Sequence, residues 1–419
     1  MRKLYTLLFT LALPLVLLRL YWRGIKAPAY RLRWRERLGY YHCPPVKDVI
    51  WLHAVSVGEA EAAFALLKLL QSRHPEAVFM VTTTTPTGSA RVQKVLGGSV
   101  VHVYLPYDVP VIVERFLQQF QPKLAVIMEK ELWPNLFAAC HVRQIPLFVI
   151  NARLSARSAR SYLKIPTLVK PTLAALNLIA AQTEDDRRRF VEIGATEEQV
   201  TVFGNIKFDM KIDPQTIAAG LALKCGLFSG RFVWIIGSSH QDEELVFLRL
   251  YPSLKVHIPE LLLLIAPRHP ERFQVVKKLC DEQQLEVTLR SGQGVVGKSC
   301  AVYIADSIGE LKMLYAAADV AFVAGSLAAV GGHNVLEPAA VGVPVLFGPQ
   351  MFNFQDIAAG MLAAGAAVQC ADEAAISAAV LRLYDDVEFR QGLVAKARVF
   401  VDENQGATER IAGLLEKYF

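Results

Sequence analysis

Short apolar runs recur along the chain, separated by stretches of helical spacing. Residues 49–54, 77–82, 100–105, 124–128, 146–151, 178–181 and 201–203 each read as a strand. They are apolar throughout rather than alternating, as a strand covered on both faces requires. The pattern stops at Gly204-Asn205 and restarts, with residues 232–237, 261–266, 285–289, 302–305, 320–324, 344–347 and 366–369 as a second set. Helical stretches such as 310–318 lie between the runs. The expected fold is α/β, with two Rossmann-like doubly wound domains joined between about Gly204 and Ser229 and a ligand cleft at the carboxyl ends of their strands.

A different pattern precedes the first strand. Residues 4–18 are uncharged and rich in leucine, and the apolar stretch reaches Tyr21-Trp22 if Arg19 snorkels. Two readings compete. A cleaved signal peptide is supported by Ala27-Pro28-Ala29. An uncleaved membrane anchor over residues 1–22 is supported by the charges that follow the run, which outnumber Arg2 and Lys3 and should hold the rest of the chain in the cytoplasm. The expected domains are then 23–208 and 209–419, with the last helix free to pack back on the first of these.

Composition changes this picture in two places. With 419 residues, 53% of them hydrophobic, the chain has enough core for two domains. Its net charge of +6 suggests nucleic acid only until it is divided: residues 1–43 carry nine basic side chains against Glu36, so the remainder is at −2. The basicity belongs to the N-terminus, which points to membrane lipid and not to nucleic acid. There Arg31, Arg33 and Arg35 are expected to attract headgroups or the phosphates of a lipid-linked substrate; a solvated charged helix is the other reading. Six scattered cysteines without a C-x-x-C pair suggest neither zinc nor a disulfide framework.

Chemistry concentrates where strands end. "SVGE" holds Ser56, Gly58 and Glu59 ahead of a helix, a capping-box pattern that leaves Glu59 as either cap or proton acceptor. "IIGSSHQDEE" places Ser238, Ser239 and His240 after a strand, for anion binding or, with Ser239 and Asp242, for capping alone. "APRHPERF" presents Arg268 and His269 between two prolines. In "VGGHNVLEP", Gly331 and Gly332 permit close backbone approach, and Asn334 with Glu337 forms a capping pattern compatible with an anion at the helix start. Glu337 is alternatively suited to a ribose hydroxyl. No P-loop, G-x-G-x-x-G or strand-end D-x-D occurs, which weakens a metal-bound diphosphate donor.

The ordered set "SVGEAEAA", "TTTTPTG", "YLPYD", "MEKELWPN", "NARLS", "GNIKFD", "SSHQDEE", "PRHPER" and "GGHNVLE" resembles the 3-deoxy-D-manno-octulosonic acid (Kdo) transferases over essentially the whole chain. The resemblance implies a glycosyltransferase of the two-Rossmann-domain (GT-B) type at the inner membrane. It would move Kdo from CMP-Kdo to the lipid A precursor with neither metal nor cofactor. It also implies an acceptor in the N-terminal half, near Ser56 and Gly58, and a nucleotide in the C-terminal half. Glu59 is implied as base and Glu131 as a second functional carboxylate, while Lys130, where a small or hydroxyl residue is expected, leaves the roles of Glu129 and Glu131 open. Candidates for the donor's carboxylate and phosphate are Arg153, Lys207 and Arg268, with structural ion pairs as the other reading. Ser238, Ser239, His240, Asn334 and Glu337 are placed around CMP. Two rivals remain: a nucleotide-sugar epimerase, which would turn over donor without acceptor, and a tethered binding protein, which would release no CMP.

Overall fold

In the computed structural model, which describes residues 1–210, 212–292 and 296–419, the chain divides into two compact units. The first holds Met1–Met210 together with Asn404–Phe419; the second holds the chain between, up to Glu403.

The first unit is built on strands β1 (Val49–His53), β2 (Phe79–Thr83), β3 (Val101–Tyr104), β4 (Pro122–Met128), β5 (Leu147–Ala152), β6 (Leu178–Ala181) and β7 (Val200–Val202). All pair in parallel in the order β3-β2-β1-β4-β5-β6-β7. Helices cover both faces, and two apolar clusters fill the space on either side, one around Trp51 and Phe116, the other around Leu66 and Phe148. Each fully buried aromatic or aliphatic side chain of this kind contributes about 1.5–3 kcal/mol. The expected strands are all present, with ends displaced by one or two residues.

The first two helices of this unit differ in character. The helix α1 (Arg2–Lys26) contains Pro14 and is long and apolar enough to cross a membrane. The helix α2 (Val57–Arg73) follows β1 directly. The last helix of the chain, Ala407–Leu415, belongs to this unit as well. Its Ala407, Ile411, Ala412 and Leu415 enter the core beside Leu66 and Leu67, and the Asp209 carboxylate accepts from Gly406 and Thr408 backbone N–H groups.

The second unit repeats the plan with β8 (Phe232–Ser239), β9 (Leu261–Pro267), β10 (Val287–Leu289), β11 (Val302–Ile304), β12 (Val320–Val323), β13 (Val345–Phe347) and β14 (Val368–Gln369). Its parallel order is β10-β11-β9-β8-β12-β13-β14. The runs "VIWLH", "FVWIIGSS" and "LLLLIAP" of β1, β8 and β9 are buried at every position, which is why they were legible as continuous apolar segments.

In each sheet the strand order reverses once, between β1 and β4 in the first and between β8 and β12 in the second. Open parallel sheets form a crevice beyond the carboxyl ends of their strands at such a point.

Candidate active site

The reversal in the first sheet brings together the loops after β1 and β4. Ser56 caps α2, its Oγ accepting from Glu59 N at 3.4 Å. The Glu59 carboxylate reaches back to the Val55 backbone N–H at 2.6 Å. The capping box is therefore formed, and it holds the carboxylate at the strand-end crevice instead of releasing it to solvent. A Cβ on Gly58 would meet only Ser56 Oγ, at 4.0 Å, so packing does not demand glycine there.

Glu129 and Glu131 follow β4. Glu129 is 8% exposed and has φ 60°, a left-handed conformation uncommon for a non-glycine residue. Burial raises the Glu59 carboxyl to about 7, the charges of Glu129 and Glu131 add to this, and the hydrogen bonds from Val55 and Ser56 oppose it. Glu131 is also raised, by burial first, against the pull of Lys130. Three carboxyl groups thus share one partly dry crevice, and Glu59 is poised to exchange a proton near neutral pH.

The loops after β5 and β7 supply a cation. Asn151, fully buried at φ 50°, accepts from Ile206 N at 3.1 Å, and Gln182 bridges the Asn151 carbonyl to Asn205. Asn205 Oδ1 in turn accepts from Lys207 N at 3.0 Å. This network sets Lys207 Nζ 3.8 Å from Glu129 Oε1. Of the two readings for Lys207, the structural ion pair is formed. Arg153 is partly buried immediately after β5.

Of the three arginines expected to face lipid or acceptor, Arg33 does not. Its guanidinium binds both Glu36 carboxylate oxygens, at 2.7 and 3.0 Å, and the His102 carbonyl at 2.7 Å. A buried carboxylate needs a partner, and Glu36 takes it. Arg31 and Arg35 remain exposed.

In the second unit the reversal joins the loops after β8 and β12. His240 and His333 meet with their ring planes nearly parallel and their Nε2 atoms 2.8 Å apart. The His269 ring is 5.4 Å from that of His240. Burial lowers both paired imidazoles, His333 to about 4, and the nearby Arg268 cation acts in the same direction. Arg268 is exposed, and among the described residues no hydrogen bond or ion pair engages its guanidinium. Arg272 is different: it is tied to the fully buried Glu244 at 2.9 Å.

Three expectations for these loops are corrected. Ser239 does not cap the following helix; that helix starts at Glu243 after Asp242 at φ 72°, and Ser239 Oγ donates to Glu244 at 3.2 Å. The Gly331 and Gly332 amides are not presented to a ligand, since both donate to the Gly325 carbonyl, at 3.1 and 2.7 Å. Glycine is needed there for packing: at φ 73°, a Cβ on Gly332 would sit 2.3 Å from the Met351 sulfur. Finally, the helix does not start at Asn334. Asn334 Oδ1 accepts from Leu336 N at 3.1 Å, and the helix Leu336–Ala340 is too short to develop the expected dipole.

Sequence reasoning missed Glu243, which is 1% exposed. Its carboxylate gathers the amides of Gly325 (2.7 Å), Leu327 (2.9 Å), Ala328 (3.2 Å) and His240 (3.2 Å), fastening the β12 loop to the β8 loop. The double acid "EE" was the only local sign of it. Asn151 and His333 were missed as well, although both lie inside the motifs "NARLS" and "GGHNVLE".

The family model described as 3-Deoxy-D-manno-octulosonic-acid transferase (kdotransferase) matches residues 32–210. The 3-deoxy-D-manno-octulosonic acid transferase of Haemophilus influenzae is 39% identical over 100% of this chain and 98% of its own length. That of Bordetella pertussis is 34% identical over 100% and 99%. Among solved structures, UDP-GlcNAc 2-epimerase from Neisseria meningitidis shares the fold, with a TM-score of 0.58 at 15% identity over 88% of this chain and all of that one. A likeness at that identity speaks only for the fold. The chain belongs to the 3-deoxy-D-manno-octulosonic acid transferase family, and is a glycosyltransferase that transfers Kdo in lipopolysaccharide core biosynthesis.

Proposed function

We propose that the protein transfers Kdo from CMP-Kdo to a hydroxyl of the lipid A precursor, with inversion at the anomeric carbon and without a metal ion. Glu59 is the general base. The observation that carries this reading is the Glu59 carboxyl, held by the capping box among Glu129 and Glu131 and raised to about 7. A base so placed is ionised for a useful fraction of molecules at neutral pH yet is a stronger proton acceptor than an ordinary carboxylate.

In the transfer step the acceptor oxygen bonds to the anomeric carbon as its proton passes to Glu59. The bond from that carbon to the phosphate oxygen breaks, and its electron pair leaves on CMP. Arg268 is suited to the phosphate charge because its guanidinium is exposed beside the neutral His240–His333 pair. Ser238 and His240, at the same strand end, belong to the same nucleotide site. Arg153 is assigned to the donor's carboxylate. Lys207 supports the acid cluster by balancing Glu129. The protein works at the cytoplasmic face of the inner membrane, where a lipid-linked acceptor is at hand.

Glu59→Gln tests the assignment. Glutamine still offers an oxygen to Val55 N–H but is a far weaker base, so transfer should fall by about 10²- to 10⁴-fold in a folded protein. Wild-type turnover would leave Glu59 with the cap alone. Incubating the wild-type protein with CMP-Kdo, with and without acceptor lipid, checks the reaction class: CMP release should require the acceptor.

A further inference from the structure

The two ends of α1 lead back to one place on the first unit. Near its start, Thr6 Oγ1 donates to Asn135 Oδ1 at 2.9 Å, and the Tyr5 hydroxyl hydrogen-bonds the buried Asp108 carboxylate. The Phe9 ring lies 6.5 Å from the Tyr107 ring. Beyond the helix the chain reverses, with Arg23 over the Tyr30 ring at 4.5 Å and Arg31 over the Tyr21 ring at 4.0 Å. By Arg37 it has returned to the same loop, since the Arg37 carbonyl accepts from Tyr107 N at 2.9 Å. From Phe9 to the end of α1 is about 25 Å at the α-helical rise, and residues 27–37 retrace that distance.

Exposure divides α1 lengthwise. Tyr5, Phe9, Leu13, Val16, Leu17 and Leu20 are partly covered. Leu4, Leu8, Leu11, Leu15, Leu18 and Trp22, on the other side at helical spacing, are 47–74% exposed. Arg2, Lys3, Arg19, Arg23, Arg31 and Arg35 lie in α1 and in the stretch that follows it.

We propose that α1 lies in the plane of an anionic lipid bilayer, its exposed leucine face in the acyl boundary and its covered face against the first unit, and that it does not cross. A crossing helix with these contacts would draw Tyr107, Asp108, Asn135 and the start of the helix Pro134–Val142 through the hydrocarbon, where a carboxylate and loop backbone are not tolerated. An in-plane helix instead buries one apolar face and sets basic side chains among the headgroups. The arrangement is independent of the role given to Glu59.

The test uses the full chain carrying Cys43→Ser, in sealed membrane vesicles from cells that produce it. Exposed Cys225 serves as a same-side reference. With Lys3→Cys added, an impermeant maleimide should label position 3 and Cys225 from the same side. Thr6→Cys with Asn135→Cys should form a disulfide on mild oxidation in the membrane-bound protein. Leu11→Glu with Leu15→Glu should reduce co-sedimentation with phosphatidylethanolamine–phosphatidylglycerol vesicles by tenfold or more. Labelling of position 3 and Cys225 from opposite sides, loss of the disulfide in the membrane, or undiminished vesicle binding by the Leu11→Glu/Leu15→Glu protein would each overturn the proposal.

Discussion

His240 and His333 meet through their Nε2 atoms at 2.8 Å, with ring planes within 5° of parallel. One nitrogen must donate and the other accept, so the contact needs at least one neutral ring. His333, held at about 4, is neutral in the folded protein, whereas an unfolded histidine takes up a proton near 6.5. Between these values the unfolded chain binds more protons, so stability is complete above pH 6.5 and is lost as pH falls towards 4. Urea midpoints at pH 7 and pH 5 should therefore converge in His333→Asn relative to wild type. His53 and His102, lowered to about 4 and about 3, act in the same sense and will leave part of the acid sensitivity in place.

Glu59 has the opposite dependence. Its folded carboxyl titrates at about 7 and an ordinary one at 4.5, so the folded protein binds more protons between these values and loses stability as pH rises through them. Glu59→Gln should be more stable than wild type at pH 8, on the order of 1–3 kcal/mol, while being the least active variant. Denaturant melts at pH 5 and pH 8 provide the check, and a variant destabilised at both would contradict it.

The rate profile should report the same group. If Glu59 must be ionised, kcat/KM rises with pH through about 7. Glu129→Gln removes one of the charges that raise it and should move the rising limb to lower pH. Replacing Lys207 by Met takes away the cation 3.8 Å from Glu129 and should move it higher. A limb that does not respond to either change belongs to another group.

Glu243→Ala would strand the amides of Gly325, Leu327 and Ala328 that its carboxylate now satisfies. Unsatisfied buried donors cost about 1–3 kcal/mol each, so the expected loss is about 3 kcal/mol or more, together with a raised KM for the donor nucleotide. Thermal unfolding and CMP titration measure the two effects separately.

Arg33→Gln and Arg31→Gln should part company. The first removes the partner of buried Glu36 and should destabilise the fold by about 3 kcal/mol. The second alters an exposed side chain and should change stability by less than about 0.5 kcal/mol while weakening salt-sensitive binding to anionic vesicles.

These pairs mark what the sequence could and could not disclose. The central strands were legible because a parallel sheet covered on both faces writes burial as consecutive apolar letters, as in "LLLLIAP". Ser56 and Glu59 were legible because a capping box is local. Glu243, by contrast, serves Gly325, 82 positions away, and His240 meets His333, 93 positions away. Contacts of that range leave no periodic trace. Gly331-Gly332 misled for a related reason: two glycines are compatible with phosphate approach, but here they make room for Met351 and Phe352, which no local pattern foretells.

The helix Ala407–Leu415 bears on assembly. Its apolar side chains are the final pieces of the first unit's interior, yet the ribosome makes them after the whole of the second unit. The N-terminal sheet must therefore wait, incompletely closed, while the inserted unit is synthesised and folds, and a chain cut short by its last sixteen residues, Asn404–Phe419, would damage the half that was begun first.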